Sequence, residues 1–133
     1  MAIPQIFDNG FRLIDGTDLN NALAMPMLQT NPGLTAFAGG GRPNATALVY
    51  GSNQVTTVAS AADSVLLPTG MPGSMVVVRN SGANAMQVFA RGSDTINGTA
   101  GSTGISVANA KTVIFFAVNE VSGLTTWVSL LGA

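Results

Sequence analysis

The side chains that ordinarily perform catalysis are almost missing from this chain, which has no His and no Cys. That removes Ser-His-Asp and Cys-His nucleophile systems, imidazole acid–base chemistry and zinc sites of ordinary composition. Carboxylates remain. Asp8, Asp15 and Asp18 stand close enough in sequence to be weighed as an acid–base or metal cluster. Each, however, has a local reason for its position: Asp8-Asn9-Gly10 and Asp15-Gly16 are turn sequences, and Asp18 suits the positive end of a helix. Asp15-Gly16-Thr17-Asp18-Leu19-Asn20 resembles a calcium loop only superficially, because the glycine is misplaced and no bidentate Glu follows at the required distance. Gly39-Gly40-Gly41-Arg42 and the run from Gly98 to Gly104 are glycine-rich, yet neither carries a phosphate-loop lysine or GxGxxG spacing. The cations Arg12, Arg42, Arg79, Arg91 and Lys111 are scattered, mostly at the ends of apolar runs, where they solvate strand ends and guard against aggregation. In a chain so short of charge, an Arg could also pair with Asp63, Asp94 or Glu120 across a subunit boundary. The expectation is a protein without enzymatic activity, cofactor or metal.

Charged residues make up 8% of 133 positions, against about 25% in ordinary soluble domains. A surface built from neutral residues, in a chain of mean hydropathy +0.40, gives little electrostatic protection against association, so it reads as a part made for assembly. The net charge of −1 supplies no basic field for nucleic acid or an anionic membrane. The longest convincing apolar run, Thr112 to Val118, is far shorter than the ~18 residues of a membrane helix. One Trp and one Tyr argue against the aromatic girdles of a membrane barrel. Met1 to Phe11 lack a basic start followed by an apolar stretch, so synthesis and retention in a bacterial cytoplasm are expected.

The elements divide the chain into an arm at 1–38, a Gly-rich linker at 39–44 and a β domain at 45–133. In the arm, Phe11-Arg12-Leu13-Ile14 lies between two turns, and Leu19, Ala22 and Leu23 form the apolar stripe of a short helix over Asp18–Met25 that Pro26 stops. The β domain shows strand patterns at Thr46–Tyr50, Gln54–Ala59, Ser64–Leu67, Ser74–Arg79, Met86–Arg91, Gly104–Val107, Thr112–Val118 and Thr125–Leu131. Turn chemistry separates them at Gly70-Met71-Pro72-Gly73, Asn80-Ser81-Gly82, Asn97-Gly98 and Ser122-Gly123. The pattern predicts a mainly β fold, an antiparallel sandwich or jelly-roll-like barrel, with an N-terminal arm containing one short helix.

Two runs, Met75 to Val78 and Val113 to Val118, are apolar on both faces, whereas a strand with one wet face should alternate. With no helix to cover the second face, either loops or another copy must do so. Phe115 and Phe116, together with Ile6, Phe7, Phe11, Leu13, Leu19 and Leu23 of the arm, are therefore the candidate assembly residues. Trp127 reads as core. A sugar-binding module, the competing class, would have to use Tyr50 and Trp127 as its exposed aromatics.

Three stretches carry a resemblance: Val55 to Pro68, Val76 to Phe89 with its Arg79-Asn80-Ser81-Gly82 centre, and Asp94-Thr95-Ile96-Asn97-Gly98. Together with Asn9 to Asn20, they resemble small structural proteins of tailed bacteriophage virions. The resemblance implies a β-rich virion component, a capsid decoration (cement) protein or a head or tail fibre. It further implies a homo-oligomer, preferably a trimer, partnered by the major capsid protein or other virion proteins. It implies no particular site residue.

Overall fold

The computed structural model describes residues 29–132. They are mainly β, in eleven strands: β1 (Thr30–Thr35), β2 (Thr46–Ala47), β3 (Gly51–Thr57), β4 (Asp63–Leu66), β5 (Met75–Asn80), β6 (Met86–Phe89), β7 (Thr95–Ile96), β8 (Thr99–Ala100), β9 (Ile105–Val107), β10 (Thr112–Val121) and β11 (Leu124–Leu131). A wide sheet runs β1-β3-β5-β10-β11-β7-β8, and a narrow one runs β2-β4-β6-β9. The expected helix over Asp18–Met25 and the rest of residues 1–28 lie outside the described residues.

All eight expected strands overlap strands of the structure, but their directions differ from the antiparallel expectation. β1, β3 and β5 are parallel neighbours in the wide sheet, and β2, β4 and β6 are parallel neighbours in the narrow one. From Thr30 to Phe89 the chain therefore changes sheet after every strand, and the short segments between strands are crossings rather than hairpins. Antiparallel strand pairs enter afterwards, when β7 pairs with β8, β9 joins β6, β10 joins β5 and β11 joins β10, while β11 meets β7 in parallel. Both sheets are mixed. Apolar alternation marks a strand with a buried face, but it carries no information about strand direction.

The proposed boundary between arm and domain also moves. β1 lies within the span assigned to the arm, where its parallel register, Thr30 with Ser52 and Thr35 with Thr57, makes it part of the wide sheet. The glycine run at 39–44, read as a linker, is a pinned corner. Gly39 N donates to Asp63 Oδ1 (3.2 Å), Ser64 Oγ to the Gly41 carbonyl (2.8 Å) and Arg42 Nη1 to the Gly92 carbonyl (2.5 Å). Glycine here permits the corner geometry without providing a hinge.

One core is shared by both sheets. Val55, Val76, Val78, Phe115 and Trp127 of the wide sheet pack in the same cluster as Val65, Met86, Val88 and Val107 of the narrow one. Two asparagines are fully buried within it, and each has its polar atoms satisfied. Asn53 Nδ2 donates to the carbonyls of Val49 (2.8 Å) and Val77 (3.3 Å), while its Oδ1 accepts from Val49 N (3.0 Å). Asn80 Nδ2 donates to the carbonyls of Asn84 and Val107, both at 2.9 Å, and its Oδ1 accepts from Gly82 N (3.0 Å). Such amides fix the strand crossings in place, because any shift would orphan a buried polar group.

The two-residue turns follow their sequences. Asn97 and Gly98 (φ 53° and 78°) join β7 to β8, and Ser122 and Gly123 (φ 54° and 77°) join β10 to β11. Paired left-handed residues match the twist of a tight hairpin, which is why Asn-Gly and Ser-Gly occur there.

Candidate functional site

The feature that stands out in this sparsely charged body is the outer face of the wide sheet. Along β5, Val76 and Val78 point inward, so Met75 and Val77 point out. Along β10, Val113, Phe115 and Ala117 point inward, leaving Ile114 and Phe116 outside. On β11, Trp127 is in the core, so Val128 and, two residues on, Leu130 face out. Registration across the three strands sets these six residues in two rows: Met75, Phe116 and Val128 in one, and Val77, Ile114 and Leu130 in the other. Phe116 is 38% exposed and Leu130 63%. None of the six is charged, and the face continues toward Val121 and Leu124 at the hairpin tip, which are also exposed.

One flank of the face opens into a groove of about 410 Å³, lined by Gln29, Tyr50, Gly51, Met71, Gly73, Ser74 and Met75. At the other end Arg79 closes the β5 row, but its guanidinium is engaged, with Nη1 donating to the Ala110 carbonyl (2.5 Å) and to Thr112 Oγ1 (3.4 Å).

The sheet edges, in contrast, are poor docking sites. β1 carries Pro32 and two register shifts, while β8 and β2 are two residues long and β9 three. Short, bulged or proline-bearing edges discourage strand addition. Among the described residues, the face of the wide sheet has no such protection.

Against the sequence expectations, the two phenylalanines separate. Phe116 lies on the outer face, whereas Phe115 is 0% exposed inside the chain's own core, so it holds the fold together rather than meeting a partner. Ile6, Phe7, Phe11, Leu13, Leu19 and Leu23 lie outside the described residues. Val128 and Leu130, absent from the expected set, complete the face. Their signal was present: once Trp127 is assigned inward, alternation sends its neighbour and the residue two beyond it outward.

Of the three acids weighed as partners for an intersubunit Arg, Asp63 and Asp94 act within the chain, while Glu120 is exposed on β10. Buried Asp63 accepts Gly39 N and Ser60 N (2.9 Å), and buried Asp94 accepts Thr125 N (2.8 Å). Both cap backbone donors that would otherwise be orphaned. Among the described residues no group of three or more His, Cys, Asp or Glu side chains is gathered as a metal site, and no helix is long and apolar enough to cross a membrane. The aromatics that a sugar platform would need are committed elsewhere. Trp127 is 0% exposed, and the Tyr50 hydroxyl donates to the Thr69 carbonyl. Neither models of known protein families nor curated protein sequences match this chain.

Proposed function

We propose that this protein is a non-enzymatic structural component of a tailed-phage virion, a capsid decoration (cement) protein whose sandwich-like β body binds and stabilises the head lattice as a homo-oligomer, preferably a trimer. The observation that carries the reading is the six-residue apolar face on β5, β10 and β11, uncharged and outward-facing in a body whose two buried carboxylates, Asp63 and Asp94, cap its own backbone. Such a surface suits repeated, neutral packing against identical neighbours. The phage-like stretches from Val55 to Pro68 and from Val76 to Phe89 support a tailed-phage virion as the particle to which it belongs. The preference for threefold symmetry comes from that resemblance alone.

The test is imaging of virions produced with and without the protein, followed by addition of the purified protein to deficient particles. The reading expects density restored at repeated positions on the head and greater resistance of the head to heat. Density restored on the tail or on projecting fibres would identify a fibre or tail component instead. Absence of the protein from purified particles would end the virion reading.

A further inference from the structure

Of the asparagines in the described residues, only Asn97 is followed by glycine. That pairing carries a chemistry of its own. The backbone nitrogen of the following residue can attack the side-chain carbonyl carbon and close a succinimide ring, and glycine leaves the approach unobstructed because it has no Cβ. Asn97 and Gly98 form the exposed turn between β7 and β8, and nothing lies within 4 Å of the place that a Cβ on Gly98 would take. Water therefore reaches the turn.

The turn is nevertheless not free to react. Asn97 N donates to the Trp127 carbonyl (2.8 Å), and its side chain meets Ser129 twice: Nδ2 donates to Ser129 Oγ (2.8 Å), while Oδ1 accepts from Ser129 N (2.9 Å). Ring closure requires the amide to turn until Cγ faces Gly98 N. An amide held at both ends by the backbone and hydroxyl of one residue on β11 cannot turn without losing both bonds. That residue stands 32 positions further along the chain, so the clasp exists only while β11 lies against β7.

We propose that Asn97-Gly98 is a deamidation site gated by Ser129, closed while the β7–β8 hairpin is clasped to β11 and open when the two part. In the reaction the bond from Gly98 N to Asn97 Cγ forms and the Cγ–Nδ2 bond breaks. The Gly98 amide proton passes to hydroxide, and Nδ2 takes a proton from water as it leaves as ammonia. Water then opens the succinimide at either carbonyl, giving Asp or isoaspartate. Each product adds a negative charge to a chain whose net charge is −1. Isoaspartate also puts an extra methylene into the backbone of a two-residue turn, which breaks the register of Thr95 with Ala100 and Ile96 with Thr99. The site thus marks copies whose last strand has come away from β7, whatever the body assembles with.

The experiment incubates the purified full-length protein in mildly alkaline buffer and separates the Asn, Asp and isoaspartate forms of the peptide containing residue 97 by chromatography and mass spectrometry. Conversion in the folded protein should be slower by at least about tenfold than in the same protein unfolded in urea, since both bonds must be lost together. Ser129→Ala, which removes the hydroxyl but keeps the N–H bond, should speed conversion in the folded state about fivefold. Ser129→Thr, which keeps the hydroxyl, should stay near the wild-type rate. Hydrogen exchange in β4 and β6 checks that the body of each variant remains folded, and the comparison of folded with urea-unfolded wild type depends on no variant. Equal rates with and without urea, or no conversion in either, would overturn the proposal, as would a folded Ser129→Ala protein that reacts no faster than wild type. Equal acceleration by Ala and Thr would trace the effect to the packing of β11 and overturn the role of the clasp.

Discussion

Phe116 and Val128 are directly opposed across β10 and β11 with both side chains outside, while the next pair along, Phe115 and Ser129, faces the other way. A step of one residue thus separates core from surface, and the two phenylalanines should respond differently to truncation. Phe115→Ala removes a fully buried ring and should cost about 3–5 kcal/mol. Phe116→Ser should cost about 1 kcal/mol or less, because much of its ring is already solvent-accessible in the body. Urea denaturation of the two variants measures the difference, and equal losses would contradict the assignment of faces.

Asn53 offers a second test. Its side chain closes the loop before β3 by bonding both the N–H and the C=O of Val49. Asn53→Ala should cost about 1–3 kcal/mol for each buried group left without a partner. Asn53→Asp should be at least as harmful, because it sets a carboxylate against the Val49 and Val77 carbonyls. Hydrogen exchange at the Val49 amide should rise in both variants.

The β10–β11 turn can be improved. Ser122 occupies a left-handed conformation that Asn adopts more readily. Ser122→Asn should therefore stabilise the protein by about 0.5–1 kcal/mol, raising Tm by a few degrees in a thermal scan. A fall in Tm would mean that the serine makes a contact this turn geometry does not require.

Truncation separates the sequence boundary from the structural one. Removal of 1–38 takes β1 and buried Ala36 out of the wide sheet, whereas removal of 1–28 leaves both in place. The longer deletion should melt at a clearly lower temperature than the shorter one. Equal melting temperatures would show that β1 adds nothing to the body.

These cases mark what was legible in the sequence. Most strand positions from Thr46 to Leu131 were, because period-two alternation and Asn-Gly or Ser-Gly turns are local signals; the two-residue β7 and β8 were too short to show alternation. The doubly apolar Met75–Val78 and Val113–Val118 runs left open whether loops or another copy covers their second face; Phe116 of that face is exposed among the described residues. β1 was missed because Thr30-Asn31-Pro32-Gly33-Leu34-Thr35 holds a proline and a glycine and only one apolar residue. Such a strand is held by its neighbour rather than by its own propensity. Phe115 was misread because, in a run apolar at every position, the sequence contains no phase; Trp127 and its partner Ala117 supply it only once the register is known. The buried amides were silent for a similar reason, since an Asn looks alike in a turn and under a strand crossing.

The passage of the chain from sheet to sheet after each strand has a kinetic consequence. β3 meets β5 only after β4 has been laid in the other sheet, and β4 meets β6 only after β5. No hairpin is available in that half of the molecule to form early and wait for the rest. Closure of successive loops must precede any reward from pairing, so folding should be slow and all-or-none, with neither sheet existing without the other. The newly made chain then exposes its apolar strands for longer than a hairpin protein would. A body with so few charges to keep copies apart meets its greatest risk of aggregation at that stage, before either sheet is complete.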